Sequence, residues 1–86
     1  MPNNPSAKKR LRQSRERRLH NRSVRSEIRT RIKKLLGMRS PEEARTALDE
    51  LYAALDRAAR RRIIPPNTAA RQKARAARHV RSLAGD

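Results

Sequence analysis

The residues of this sequence that could do chemistry are mainly arginines and lysines, and they occur in clusters. Between residues 8 and 22 the only acid is Glu16, whereas the basic residues are Lys8, Lys9, Arg10, Arg12, Arg15, Arg17, Arg18 and Arg22. A guanidinium group presents a planar fork of donors that matches phosphate oxygens, and an ammonium group supplies a compact positive charge. A merely solvated basic tail is the alternative. We favour contacts with the phosphates of a nucleic acid.

A second basic set follows near the end of the chain. Arg71, Arg75 and Arg78 have helical spacing and would form one stripe. Small or apolar residues would form the other side of the same helix: Ala69, Ala70, Ala77, Val80 and Ala84. No acidic residue is close enough in sequence to neutralise the stripe, so phosphate contacts are favoured here over an ordinary solvated face.

The acids and histidines do not form a catalytic or metal-binding pattern. Glu42 and Glu43 suit the N-terminus of a helix, where negative charge is favourable, while Asp49 and Asp56 fall opposite the leucines of that helix. The two histidines are isolated, there is no cysteine, and two glycines cannot form a glycine-rich phosphate loop. We therefore expect no enzymatic activity, no metal, no cofactor and no small-molecule substrate.

Composition narrows the class of partner. The 24 basic and 8 acidic residues give a net charge of +16 on 86 residues, which favours a polyanion. With one tyrosine and neither phenylalanine nor tryptophan, stacking on bases is nearly unavailable, so recognition must rest on phosphates, sugars and RNA shape. No apolar run approaches the ~20 residues of a membrane span.

The positions of prolines, glycines and capping residues predict three helices. Ser6 could cap the first, and Gly37 suits a left-handed position after its end. Ser40-Pro41-Glu42-Glu43 has the pattern of a capping box. Pro65-Pro66 would end the second helix, and Asn67 could cap the third. The predicted elements are an irregular segment over 1–5 and helices over 6–36, 40–63 and 67–84.

Helical spacing predicts how these helices pack. Val24, Ile28, Ile32 and Leu35 would form one apolar stripe on the first helix, and the same stripe continues backwards into Asn21, Arg17, Ser14 and Arg10. The first half of this helix should therefore project past the bundle. Because like charges four residues apart destabilise a helix, we expect this half to be frayed or disordered in the free protein and to become ordered when phosphates neutralise it.

The second helix has a matching apolar stripe at Ala44, Leu48, Leu51, Leu55 and Ala58. Net charges are +11 over 6–36, −3 over 42–59 and +5 over 67–84. This division predicts that the middle helix faces solvent and that the outer two share a basic surface. The fold class is all-α: a single-domain, three-helix antiparallel bundle over 1–86 with a long basic first helix extending beyond it.

Two blocks of this sequence resemble bacterial small-subunit ribosomal protein S20. The first comprises Ser6-Ala7-Lys8-Lys9-Arg10, Arg17-Arg18-Leu19-His20-Asn21, Arg25-Ser26 and Arg29-Thr30-Arg31-Ile32-Lys33-Lys34. The second is Asn67-Thr68-Ala69-Ala70-Arg71-Gln72-Lys73-Ala74. The family usually has a glycine near the end of helix two, where this chain reads Arg61-Arg62-Ile63-Ile64-Pro65-Pro66.

The resemblance implies a cytoplasmic, structural constituent of the small ribosomal subunit that binds 16S ribosomal RNA early in assembly and bridges the 5′ domain and the long penultimate helix. Carried over by position, the implied RNA contacts are Lys8, Lys9, Arg10, Arg17, Arg18, Asn21, Arg25, Arg29, Lys34, Arg71 and Lys73. Charge and helical facing alone add Arg12, Arg15, Arg22, Arg75 and Arg78.

Two other classes remain open on charge alone. A DNA-binding or nucleoid protein would share the basic surface, but no helix-turn-helix is recognisable. A membrane-active cationic helix would need an apolar face, and residues 8–22 offer only Leu11 and Leu19, which lie on different sides. The sequence therefore favours the RNA-binding hypothesis.

Overall fold

The structure is a computed structural model that describes residues 5–85, and these residues form three α-helices. Helix α1 spans Pro5–Gly37, α2 spans Pro41–Arg60 and α3 spans Pro66–Leu83. The described residues contain no strand. The predicted all-α, three-helix fold is confirmed. The irregular segment predicted over 1–5 lies outside the described residues except for Pro5, which is already helical.

Helix α1 ends differently from the prediction. Gly37 is the last helical residue, and the only described residues with positive φ are Arg62 and Gly85, so the left-handed conformation predicted for Gly37 is wrong. The N–H of Met38 instead donates to the carbonyl oxygen of Leu35 at 3.0 Å. This tighter i→i+3 bond closes the helix without a left-handed residue.

Helix α2 begins as the sequence predicts. Ser40 has extended φ and ψ of −79° and 119°, and its side-chain oxygen accepts a hydrogen bond from the N–H of Glu43 at 3.5 Å. Pro41 occupies the first helical turn, where a missing N–H costs nothing. Glu42 and Glu43 place negative charge beside the helix N-terminus.

The end of α2 lies three residues before the predicted Ile63. The N–H of Arg62 donates to Ala59 O at 3.1 Å, and that of Ile63 donates to Ala58 O at 2.8 Å. This pair of bonds is a Schellman motif, and Arg62 holds its left-handed position with φ 59°. A non-glycine residue costs about 1 kcal/mol or more in this conformation. Burial of Ile63 and Ile64 in the core compensates for this cost, because the turn at Arg62 directs both side chains towards the bundle.

Helix α3 starts without the predicted cap. Its N-cap residue is Pro65 (ψ 145°), which makes no side-chain capping bond, so the prediction that Asn67 caps the helix is wrong. Pro66 forces the residue before it into an extended conformation and has a φ suited to the first helical position. The first intrahelical acceptor is Pro65 O, which receives the Ala69 N–H at 3.1 Å.

The hydrophobic core is thin and centres on α2. Leu35, Leu51 and Leu55 are its largest fully buried side chains. The remaining core residues are Ile28, Ala44, Ala54, Ala58, Ile63, Ile64, Ala69, Ala76 and Val80. The predicted apolar stripes of α1 and α2 are confirmed, because Val24, Ile32 and Leu48 pack against this core.

Two packing predictions are wrong: that the middle helix faces solvent, and that Ala70 and Ala84 lie on the packed side of the third helix. Helix α2 contributes five buried residues and packs against both neighbours, whereas α1 and α3 contact each other least. All five acids of α2 are exposed, on the side away from its leucines. On α3 the buried face contains Ala69, Ala76 and Val80, and Ala70 and Ala84 are exposed. These three buried residues are seven and then four positions apart, so they lie on one side of α3. Ala70 follows Ala69 by one position and therefore points away from that side.

The molecule is elongated because α1 extends beyond the bundle. Its extents are 63 × 20 × 14 Å and its radius of gyration is 17.4 Å, against about 12 Å for a globular chain of this length. Thirty-three helical residues measure roughly 50 Å. The first α1 side chain packed on the core is Val24, so everything before it extends past the bundle, as predicted.

Candidate nucleic-acid interface

The part of α1 that precedes the core is a basic helical arm, which we define as residues 5–23. Every side chain in the arm is exposed except Ala7 and Asn21, which are half-buried. The exposed set includes two leucines, Leu11 at 55% and Leu19 at 61% exposure. The arm therefore has no core of its own and is surrounded by solvent.

The basic side chains of the arm surround the helix. Helical spacing places Arg15, Arg18 and Arg22 on one side, and with Leu19 and Arg25 they line a shallow cleft. We call this side the outer stripe. Arg10, Arg17 and Asn21 continue the apolar stripe of α1 beyond the bundle, and we call them the inner face. A polyanion could thus contact the arm from either side.

The arm's charges are not neutralised within the molecule. Across residues 5–85 the acid–base pairs are Glu27 with Arg31 at 3.1 Å, Glu50 with Arg31 at 3.4 Å, and Asp56 with Lys73. None of them involves a side chain of the arm. Its eight basic residues are therefore available to an external anion.

On the bundle part of α1, Arg25, Arg29 and Lys34 are also exposed. Lys34 lines a groove between α1 and α2 in which Arg31 already bridges Glu27 and Glu50. Those two carboxylates make this groove less favourable to phosphate than the arm, where Glu16 is the only acid. Arg25 instead borders the cleft of the outer stripe.

Helix α3 contributes a second basic surface. Arg71, Arg75 and Arg78 are exposed and line one shallow groove together with Gln72 and Ala74. The side chain of Arg71 donates to the Thr68 hydroxyl oxygen at 3.2 Å, which fixes one edge of its guanidinium group. The predicted arginine stripe is therefore brought together as one surface.

Lys73 differs from the other predicted contacts. Its ammonium group pairs with Asp56 and lies 5.4 Å from the centroid of the Tyr52 ring. The Tyr52 hydroxyl donates to the backbone carbonyl of Lys73 at 3.4 Å. These contacts join α2 to α3, so Lys73 already has a structural function. Of the sixteen predicted side chains, Lys73 and Asn21 are half-buried and the other fourteen are exposed.

Sequence reasoning left out one exposed basic group at the end of α2. Arg57, Arg60, Arg61 and Arg62 all lie on the surface there. The signal in the sequence is the run of three consecutive arginines from Arg60 to Arg62.

The other polar groups do not suggest a reaction centre. Within residues 5–85 no three acidic or histidine side chains lie close enough together to hold a metal ion. The Nε2 atom of His79 is 3.2 Å from Met38 O, so this histidine joins α3 to the α1–α2 connection. No helix in the described part of the chain is long and apolar enough to cross a membrane.

Comparisons with known proteins agree with this geometry. The family model of ribosomal protein S20 matches residues 2–81. The chain is 44% identical to the small ribosomal subunit protein bS20 of Coxiella burnetii (strain RSA 493 / Nine Mile phase I), with 96% of each chain covered. It is 43% identical to the bS20 protein of Pseudomonas aeruginosa (strain LESB58), with 96% of this chain and 94% of the relative covered. The chain therefore belongs to the ribosomal protein S20 family, whose members are structural constituents of the small ribosomal subunit and not enzymes.

Proposed function

We propose that this chain binds 16S ribosomal RNA directly, with the basic arm inserted among RNA phosphates and the bundle held against the RNA surface. In this role it helps to fold and hold the body of the small subunit during assembly. The observation that carries the proposal is the arm itself: eight basic side chains, exposed around one helix, none of which forms an ion pair within residues 5–85.

The charge and the shape of the arm both suit contacts with RNA phosphates. Neutralising RNA phosphates with arginine or lysine releases condensed counterions, which is the main source of affinity for a surface like this one. A helix about 10 Å across with its side chains can lie between two RNA segments and contact both, because its charges point in every direction. The arginine groove of α3 adds a second set of donors on the bundle.

Base-specific contacts have little support in this chain. Tyr52, its only aromatic residue, is half-buried beneath Lys73 and cannot act as an exposed stacking platform. We therefore propose that the protein recognises the backbone and shape of folded RNA. The resemblance described above suggests that the RNA elements are the 5′ domain and the long penultimate helix.

Binding should also order the arm. Like charges three and four residues apart repel along the arm, and no arm residue belongs to the hydrophobic core that could oppose this repulsion. Phosphates between the arginines remove the repulsion, so RNA binding and arm stability are coupled. The arm would therefore contribute to a late, RNA-dependent part of the protein's own folding.

The experiment that tests the proposal is a salt titration of binding to a 5′-domain transcript of small-subunit RNA. Excess transfer RNA and duplex DNA are added as competitors. We expect binding that survives both competitors at moderate salt, because the separated basic surfaces should fit one folded RNA better than a uniform polyanion. Equal displacement by every polyanion would contradict the proposal and would favour a nucleoid-type protein.

A further inference from the structure

The exposed basic group at the end of α2 forms a compact cluster, which we call the arginine turn: Arg57, Arg60, Arg61 and Arg62. All four side chains are exposed. None of them forms an ion pair with a carboxylate in the described part of the chain. Four uncompensated guanidinium groups within six residues are a strongly charged patch that the proposed contacts above do not use.

The arginine turn lies where the arm leaves the bundle. Arg57 and Arg61 line one groove with Val24 and Glu27 of α1, and Val24 is the first α1 residue packed on the core. The Glu27 carboxylate in this groove is already paired with Arg31 at 3.1 Å. Helix α2 runs antiparallel to α1, so its C-terminal end points towards the arm. The turn and the inner face of the arm thus form the two sides of a corner.

The position of Asn21 on α1 agrees with this arrangement. Asn21 is the one half-buried polar side chain of the arm, although nearby Arg17, Arg18 and Arg22 are exposed. It belongs to the inner face, on the stripe that continues from Ile28. Asn21 precedes Val24, the first α1 residue packed on the core, by three residues, so this stretch of the inner face lies next to the bundle end.

The backbone at Arg62 supplies an independent argument. Arg62 has φ 59° and holds the left-handed position of the Schellman motif, for which glycine is the favoured residue. A charged residue in a conformation that disfavours it indicates a position where stability is not the only requirement. The arginine side chain adds a fourth donor group to the cluster.

We propose that the arginine turn and the inner face of the arm together bind one segment of RNA backbone in the corner between them. This phosphate site is separate from the outer stripe and from the α3 groove, and it rests on the proposed function. RNA backbone fits the corner because guanidinium groups approach it from two directions. An RNA strand that passes through the corner presents phosphate oxygens to both basic surfaces.

A structural explanation of the same residues must be separated from this proposal. Arg57 and Arg60 lie in the last turn of α2, where cations interact favourably with the helix dipole. The test therefore uses glutamine, which has a helix propensity close to that of arginine and is polar, but is uncharged. Thermal unfolding by circular dichroism reports any loss of stability independently of binding.

The test compares the full chain with a turn variant, Arg60→Gln/Arg61→Gln, in salt titrations against the 5′-domain transcript. The matched control is Arg39→Gln/Arg45→Gln, which removes the same charge from exposed positions at the opposite end of the bundle. We expect the turn variant to lose about 1.4–1.8 units of the slope of log K against log salt, since each phosphate contact accounts for about 0.7–0.9. The control should keep the parental slope.

A third variant separates charge from backbone. Arg62→Gly relieves the left-handed conformation, so the midpoint of thermal unfolding should rise while the salt slope falls by about one unit. A purely structural role for the turn cannot produce more stability and weaker binding in the same variant.

Two outcomes would overturn the inference. One is an unchanged slope in the turn variant. The other is an equal loss of slope in the turn variant and in the control, which would mean that only net charge matters. The outer-stripe variant Arg15→Gln/Arg22→Gln distinguishes these failures from failure of the proposed function. If it also leaves the slope unchanged, the arm itself does not contact RNA; if it lowers the slope, only the corner site is wrong.

Discussion

Removing two charges from the arm should weaken RNA binding without weakening the fold. In the variant Arg17→Gln/Arg18→Gln, both altered side chains are exposed and precede Val24, the first α1 residue that packs on the core. The core therefore loses no contact. The thermal unfolding transition of the bundle should stay within about 0.5 kcal/mol of the parent, as for other surface substitutions.

The magnitude of the binding effect follows from the number of contacts removed. If each arginine neutralises one phosphate, the slope of log K against log salt falls by about 1.4–1.8 units. Between 1 M and 0.1 M salt this corresponds to about 25–60-fold in affinity, so the two proteins should differ most at low salt and converge as salt rises. Polarisation of a labelled 5′-domain transcript over this range measures both quantities.

The result that would refute this reasoning is a pair of parallel lines. A variant whose affinity is lower by a constant factor at every salt concentration would have lost something other than phosphate contacts. The control Arg39→Gln/Arg45→Gln has the same net charge as the arm variant, and its plot of log K against log salt should superimpose on that of the parent. If the control converges in the same way as the arm variant, the effect is one of total charge and the arm has no special role.

The other predictions concern the scaffold. Leu55→Ala removes a fully buried side chain from the thin core and should cost about 2–5 kcal/mol in urea unfolding, enough to unfold a domain of marginal stability; a loss under 1 kcal/mol would contradict the packing described. Ser40→Ala removes the oxygen that accepts the Glu43 N–H and should cost about 1 kcal/mol in the same assay, whereas Ser40→Gly should cost only a few tenths. Asp56→Asn deprives Lys73 of its carboxylate and should lower the midpoint of thermal unfolding by at most a few degrees, since a partly exposed pair contributes about 0–1 kcal/mol; RNA affinity should not fall, because that substitution removes no phosphate ligand.

Local signals in the sequence predicted those features of the fold that depend on local chemistry. The start of α2 needs only a serine, a proline and two glutamates in order: Ser40 accepts the Glu43 N–H, Pro41 occupies the first turn, and both glutamates lie at the helix N-terminus. The apolar stripes of α1 and α2 depend on helical periodicity, which any helix imposes. The projecting arm followed from the same periodicity, because arginines replace apolar residues along the stripe.

The wrong predictions for the end of α2 and for the start of α3 have different causes. Burial of Ile63 and Ile64 ends α2 early and places Arg62 in the left-handed conformation, which no local rule would assign to arginine. Pro65 and Pro66 start α3 through backbone geometry, which made a cap at Asn67 unnecessary.

Charge patterns carried less information about packing than about exposure. The acidic residues of α2 correctly indicate an exposed face. They give no information about the opposite face, which contributes five buried residues to the core. Lys73 looked like its arginine neighbours in sequence. Its pairing with Asp56, seventeen residues earlier on another helix, depends on the register between α2 and α3. The arginine turn was visible as a run of residues, but its position beside the arm needed the fold.

The measurement that tests the central claim most directly is amide hydrogen exchange of the arm, residues 5–23, in the free chain and in its complex with the 5′-domain transcript. We predict that arm amides exchange quickly in the free chain, where no arm residue belongs to the hydrophobic core, and slowly once phosphates neutralise the arm. Core amides of α2, such as those of Leu51 and Leu55, should be protected in both states and serve as the internal reference. Arm exchange that does not change when saturating transcript is added would contradict the claim that the arm is held by RNA.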